Sequence, residues 1–101
     1  MDHALLLEFE GVGTDGRKLY EAVTEELGLG PDGLPPGAIS HTAGMSEKSV
    51  FTVFEVWETR ELQEEFMRLQ LMPALQKSGA PAPTRVVWID VYAHNHTAVS
   101  P

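Results

Sequence analysis

The chain has 101 residues with 15 acidic and 7 basic side chains, which gives a formal net charge of −8 at neutral pH. This length allows one domain with a modest core, and the excess of carboxylates argues against nucleic acids and anionic membranes as partners, because both are bound through phosphate groups. The absence of cysteine excludes disulfides, thiolate metal sites and cysteine nucleophiles.

The first part of the chain predicts a strand, a helix and a second strand. Residues 4–10 form a short apolar run that is typical of a strand. A helix capped by Thr14 or Asp15 is expected to follow and to stop at Gly28. A stretch rich in Gly and Pro then predicts a loop, and residues 38–45 predict a second, weaker strand, because glycine and alanine have low strand propensity.

Residues 50–57 are dense in β-branched and aromatic side chains and predict the third strand. Thr59 is expected to cap a second helix, in which Leu62, Phe66 and Leu69 lie on one face. Within this helix a proline is expected to break or kink the chain, or to start a second short helix.

Residues 85–93 complete the pattern as the fourth strand, RVVWIDVYA. The order strand–helix–strand–strand–helix–strand predicts an α+β, ferredoxin-like βαββαβ fold with a four-stranded antiparallel sheet of order 4-1-3-2. We assign residues 1–94 to this single domain and residues 95–101 to a polar C-terminal tail. The short apolar run at the N-terminus, flanked by carboxylates, does not fit a signal peptide, so a cytoplasmic protein is expected.

Successive strand side chains point to opposite faces of a sheet, so each strand divides into two sets. One predicted face is apolar and packs beneath the helices; its members include Leu5, Leu7, Phe9, Thr52, Phe54, Val56, Val87, Ile89 and Val91. The other face combines aromatic and acidic side chains, including Glu8, Phe51, Val53, Glu55, Trp57, Trp88, Asp90 and Tyr92. Because no helix remains to cover this second face, we predict a homodimer that packs sheet against sheet, with the acidic groups in a wet cavity.

His41 and Glu55 form the predicted catalytic pair. One of the two plausible hairpin registers places them directly opposite each other on neighbouring strands. A carboxylate in this position would fix the imidazole tautomer and make the ring a general base or acid. The alternative is a cross-strand polar pair that is satisfied within a dimer cavity and has no catalytic role.

The other polar and aromatic side chains of the second face are predicted to bind a ligand. Their aromatic members would either stack on a flat aromatic molecule or anchor the dimer interface. The carboxylates of this face, together with His41, would also suit an oxygen-rich metal site, but no local metal motif is present, and neither a metal nor another cofactor is predicted. The predicted ligand-binding residues are Glu8, Trp57, Trp88, Asp90 and Tyr92.

The chain resembles the dimeric α+β barrel superfamily and, within it, the antibiotic-biosynthesis-monooxygenase-like domains. The resemblance rests on VFTVFEVWETRELQEEF at 50–66 and extends back through ISHTAGMSEK, with a histidine in the second strand and an acidic residue before the tryptophan. It implies a soluble homodimer similar to cofactor-independent monooxygenases, acting on an apolar or aromatic small molecule in the barrel cavity. The helix-two histidine of haem-degrading members has no counterpart here. The alternative is a non-catalytic ligand-binding or accessory dimer.

Overall fold

The computed structural model describes residues 2–30 and 33–95. Its sheet has the order β2-β3-β1-β4 with antiparallel neighbours, which confirms the predicted ferredoxin-like arrangement. The elements are β1 (His3–Phe9), α1 (Gly16–Leu27), β2 (Ala38–Met45), β3 (Phe51–Trp57), α2 (Arg60–Phe66), α3 (Met72–Lys77) and β4 (Arg85–Asp90), with a 3-10 turn at Gly13–Asp15 and a π-helical segment at Met67–Leu71.

Two predictions fall partly outside the described residues. Of the predicted tail, only Asn95 belongs to them, and the loop after α1 is described except for Pro31 and Asp32. Among the helices that the structure describes, none is both long and apolar enough to cross a membrane.

Helix α1 ends where the sequence predicts. Gly28 adopts the left-handed conformation, with φ of 70°, and donates its N–H to the carbonyls of Thr24 and Glu25. Glycine suits this position because it has no Cβ to oppose a positive φ. At the other end, Asp15 occupies the N-cap position without a side-chain hydrogen bond, since a 3-10 turn leads into the helix.

Helices α2 and α3 are joined through the π-helical segment, which changes the predicted buried face. Thr59 caps α2 as expected, because its hydroxyl accepts the N–H of Leu62. A π turn accommodates one more residue than an α turn, so Leu71 follows Phe66 on the buried side. Leu69, predicted to share that face, is 54% exposed. Pro73 lies in the first turn of α3, where its missing N–H is tolerated.

The prediction of which side chains from different strands share a face of the sheet is wrong. Leu5 lies opposite Glu55 on one side and Trp88 on the other, and Leu7 lies opposite Val53. Residues opposite each other in antiparallel strands point to the same face. The helices therefore cover the face that carries Leu5, Leu7, Phe9, Phe51, Val53, Glu55, Trp57, Trp88 and Asp90.

The opposite face of the sheet carries no helix. Glu8, Phe54 and Ile89 lie on this face, with Leu6 and Val87 between them. Phe54 is 38% exposed although it was expected to pack beneath the helices. The uncovered face is thus mainly aliphatic and aromatic, and most of the predicted site residues lie on the other side of the sheet.

Candidate active site

Four side chains from three elements form a hydrogen-bonded chain on the helix-covered face. The Tyr20 hydroxyl lies 3.0 Å from His41 Nε2, and His41 Nδ1 lies 2.8 Å from Glu55 Oε2. The second carboxylate oxygen, Glu55 Oε1, accepts the indole N–H of Trp57 at 3.1 Å. The predicted pair is therefore the centre of a longer network.

The strand register brings this network together. A register shift between Ala38 and Ser40 in β2 precedes the position at which His41 lies directly opposite Glu55. Trp57 follows Glu55 by two residues and therefore projects from the same face of β3. Tyr20 reaches the site from α1, and its ring stacks on the imidazole at a centroid distance of 5.8 Å and an interplanar angle of 19°.

With Glu55 ionised and His41 neutral, the chemistry of the four groups sets the direction of each hydrogen bond. An indole N–H only donates and an ionised carboxylate only accepts, so Glu55 accepts from both Trp57 and His41 Nδ1. The Nε2 atom of the neutral imidazole is then an acceptor, and the Tyr20 hydroxyl donates to it. These bonds offset the cost of burying Glu55, which is only 7% exposed.

The network opens onto a cavity of about 430 Å³ between the sheet, the helices and the loop after α1. This volume is within the range of small-molecule sites, which are mostly apolar with a few converging polar groups. Tyr20, His41 and Glu55 all line the cavity. Its apolar walls include Leu7, Phe9, Val23, Leu27, Phe51 and Leu71.

The cavity lies inside one chain, which corrects its predicted position. The sequence placed it on a sheet face without helices, whereas in the structure it lies between the sheet and the helices. The physical reason is the register between β1 and β3, which places Leu5 opposite Glu55. The carboxylate therefore lies among core residues, where a charged group is not expected without partners.

Two of the predicted ligand-binding residues lie near the network or the helices but do not line the cavity. Trp57 is completely buried behind Glu55 and packs against Phe66. Trp88, on the edge strand β4, is covered by the guanidinium of Arg60, whose central carbon lies 4.7 Å from the ring centroid. Trp57 therefore contacts Glu55 from behind the cavity wall, whereas Trp88 belongs to the edge of the sheet.

The other three predicted ligand-binding residues are remote from the cavity. Glu8 points to the uncovered face, where its Oε1 atom lies 3.3 Å from Nη1 of Arg85. Asp90 is paired with His3, and Tyr92 is 97% exposed beyond the end of β4. Within residues 2–30 and 33–95, no three acidic or histidine side chains are grouped in a way that would hold a metal ion.

Tyr20 is the member of the network that was not predicted from the sequence. The spacing of α1 places it three residues before the buried Val23, on the side of the helix that faces the cavity. A tyrosine on a buried helical face usually finds a hydrogen-bond partner for its hydroxyl. That rule was the available signal, but the identity of the partner depends on how α1 crosses β2.

No protein-family model matches the chain, and no curated protein shows significant similarity to it. Solved structures do match. A protein of unknown function, NE2512 from Nitrosomonas europaea, is 18% identical, with 97% of this chain and 96% of that chain covered and a TM-score of 0.68. An antibiotic biosynthesis monooxygenase is 15% identical over 92% of this chain and all of its own, with a TM-score of 0.61.

A third match is SnoaB from Streptomyces nogalater, described as a cofactor-independent oxygenase. It is 10% identical, with 92% of this chain and 93% of that chain covered and a TM-score of 0.60. Fold similarity at this level leaves activity open, because one fold supports many functions. The comparisons therefore show that the chain has the fold of the antibiotic-biosynthesis-monooxygenase-like proteins.

Proposed function

We propose that this chain, with the fold of the antibiotic-biosynthesis-monooxygenase-like proteins, is a cofactor-independent oxygenase of an apolar, aromatic small molecule. The observation that carries the proposal is the hydrogen-bonded His41–Glu55 pair, with a buried carboxylate and a half-buried imidazole, at the wall of a largely apolar cavity. A neutral imidazole oriented by a carboxylate is a general base, and its protonated form is stabilised by the same carboxylate.

We propose an enolisable aromatic ketone as the substrate class. An enolisable aromatic ketone would lose its acidic proton to the pair and become a carbanion that is stabilised by its rings. The carbanion transfers electrons to O2 and forms a C–O bond, and protonation then gives a hydroperoxide. Loss of water from the hydroperoxide leaves a carbonyl, so one CH2 group and one O2 become one C=O group and one H2O. The electrons come from the substrate itself, and the match to SnoaB supports this reading.

Dithranol, a dihydroxyanthrone, is a suitable test substrate because its oxidation product, a dihydroxyanthraquinone, is followed by absorbance. We expect product to form faster than in buffer alone and His41→Ala to lower the catalysed rate by about 10²-fold or more. His3→Ala is the matched control, because His3 lies at the start of β1 beside Asp90 and does not line the cavity. Binding of dithranol without oxidation above the background would contradict the proposal.

That outcome would favour the alternative, a non-catalytic small-ligand-binding protein. One observation supports this second candidate: both ring nitrogens of His41 already have partners within the chain. A pair that is satisfied in this way also serves to hold a buried carboxylate in place.

We further propose that two copies of the chain pack together through their uncovered sheet faces. The exposed Phe54 and Ile89, with Leu6 and Val87, make this face apolar, and such faces usually mark an interface. Light scattering is expected to give about twice the chain mass of 11.1 kDa. Phe54→Asp should give a monomer, whereas Leu69→Asp, a similarly exposed position on the helical side, should not.

A further inference from the structure

We infer that Tyr20, rather than His41, is the residue that contacts the ligand, and that it accepts a proton from an acidic hydroxyl group of that ligand. This inference rests on the proposed function and deepens it. It assigns the first proton transfer to a residue of α1 and defines the substrate as a phenol or an enol. The enol form of a dihydroxyanthrone has such a group, and loss of its O–H proton gives the same anion as loss of the C–H proton.

The first argument is the occupancy of His41. A neutral imidazole has a single acceptor nitrogen, and here that atom is Nε2, because Nδ1 donates to Glu55. Nε2 already accepts the Tyr20 hydroxyl at 3.0 Å, and the Tyr20 ring is stacked on the imidazole. A ligand proton therefore has no acceptor on His41 as long as Tyr20 stays in place.

The second argument is the free capacity of the Tyr20 oxygen. A phenolic hydroxyl donates one hydrogen and retains lone pairs that accept others. In the part of the chain that the structure describes, the contact with His41 is the only hydrogen bond of this hydroxyl. Tyr20 also lines the cavity, whose remaining walls are largely apolar. The lining also holds Thr24, Ser40 and Glu55, of which Thr24 and Glu55 are already hydrogen-bonded within the chain. Tyr20 therefore offers a ligand hydroxyl an acceptor that is itself bonded to His41 Nε2.

The proton transfer balances without an outside reagent. The ligand O–H bond breaks and a new O–H bond forms on Tyr20, while the original Tyr20 proton forms an N–H bond on His41 Nε2. The products are a ligand oxyanion, a neutral Tyr20 and an imidazolium that is paired with Glu55. No electrons are exchanged in this step, and the two new charges are equal and opposite.

The geometry holds Tyr20 in position for this role. Its ring packs against both the imidazole and the Phe51 ring, at centroid distances of 5.8 Å and 5.9 Å. The ring would keep these contacts in Tyr20→Phe, which removes only the hydroxyl. The second tyrosine of the chain, Tyr92, is almost fully exposed, so Tyr92→Phe is a matched control.

The first experiment compares dithranol oxidation by the wild type, Tyr20→Phe and Tyr92→Phe. We expect Tyr20→Phe to lower kcat by about 10²-fold with a small change in KM, because proton transfer by a positioned group contributes this much. Tyr92→Phe should match the wild type. Heteronuclear NMR of the imidazole nitrogens should show that Tyr20→Phe keeps the proton on Nδ1 of neutral His41, which establishes that the pair with Glu55 is intact.

If Tyr20→Phe oxidises dithranol as fast as the wild type, or faster, and His41→Ala remains slow, the inference is overturned but the proposed function stands. His41 would then contact the ligand directly, and Tyr20 would only cover it.

The second experiment does not depend on oxidation and uses para-nitrophenol, whose phenolate has its own absorbance band. Calorimetry measures binding, and the band measures ionisation of the bound phenol. We expect the wild type to bind and ionise this probe, and Tyr20→Phe to bind it without the increase in phenolate. Equal ionisation in both proteins, or no binding by the wild type, would overturn the inference even if dithranol is not a substrate.

Discussion

Replacement of Glu55 by Gln gives the most specific prediction for the hydrogen-bonded network, because glutamine has the same shape but carries a donating NH2 group in place of one accepting oxygen. Trp57 Nε1–H only donates, so the amide oxygen must face the indole. The amide NH2 group then faces His41 and needs an acceptor there. We expect the neutral imidazole to change its tautomer, so that Nδ1 accepts from Gln and the proton moves to Nε2.

The change in stability follows from the bonds that are replaced. The ionised Glu55 carboxylate accepts two hydrogen bonds, each worth about 1.5–3 kcal/mol, whereas bonds between neutral groups contribute about 0.5–1.5 kcal/mol. Because the residue is buried, solvent does not replace the lost interactions. The amide costs less to bury than a carboxylate, which offsets part of the loss. We expect Glu55→Gln to lower the free energy of unfolding by about 1–2 kcal/mol.

Urea denaturation measures the stability, and NMR of the imidazole nitrogens in alkaline buffer identifies the tautomer. Glu58→Gln is the control, because Glu58 is exposed at the end of β3 and belongs to no side-chain network of the described residues. Glu55→Leu should cost more than Glu55→Gln, since it leaves two buried donors without partners. An unchanged tautomer in Glu55→Gln would refute the assigned directions of the hydrogen bonds.

Further predictions concern packing and backbone geometry, and denaturation curves test all of them. Trp57→Phe should cost about 2–3 kcal/mol, because it removes the bond to Glu55 and leaves a void, whereas Trp88→Phe at the half-buried edge should cost less than about 1 kcal/mol. Gly37→Ala should cost roughly 1–3 kcal/mol, since φ is 92° and a Cβ would meet a leucine side chain at 2.6 Å. Gly44→Ala, with open space, should be neutral or slightly stabilising. Thr59→Ala should cost about 1 kcal/mol through loss of the helix cap.

The strands and their order were predictable because alternation and composition are local properties. The β2 bounds coincide with the predicted 38–45, and β1 and β3 each begin within one residue of the prediction. β4 ends at Asp90, earlier than predicted. Nothing local determines whether Leu7 lies opposite Val53 or the next residue along β3, because both sets of β3 side chains contain apolar members. A shift of one residue in this register moves every β3 side chain to the opposite face relative to β1, and the predicted faces were wrong for this reason.

The site was predictable only where its residues are neighbours in a hairpin. His41 and Glu55 lie on adjacent strands, so their pairing was one of two registers. Tyr20 comes from a helix that packs across the sheet, and this contact is tertiary. The burial of Glu55 also runs against the rule that carboxylates face solvent, and it is intelligible only once Trp57 is seen to donate to it.

The π-helical segment has a consequence for how lengths vary among chains of this fold. A widened turn is equivalent to one residue inserted into a continuous α-helix. Removal of Leu69 would restore regular winding and keep Phe66 and Leu71 on the same side, but it would also place Pro73 inside an α-helix, at a cost of about 3 kcal/mol. The deletion should therefore be tolerated together with Pro73→Ala and poorly alone. An alignment gap at this point and the loss of the proline should accordingly occur in the same relatives.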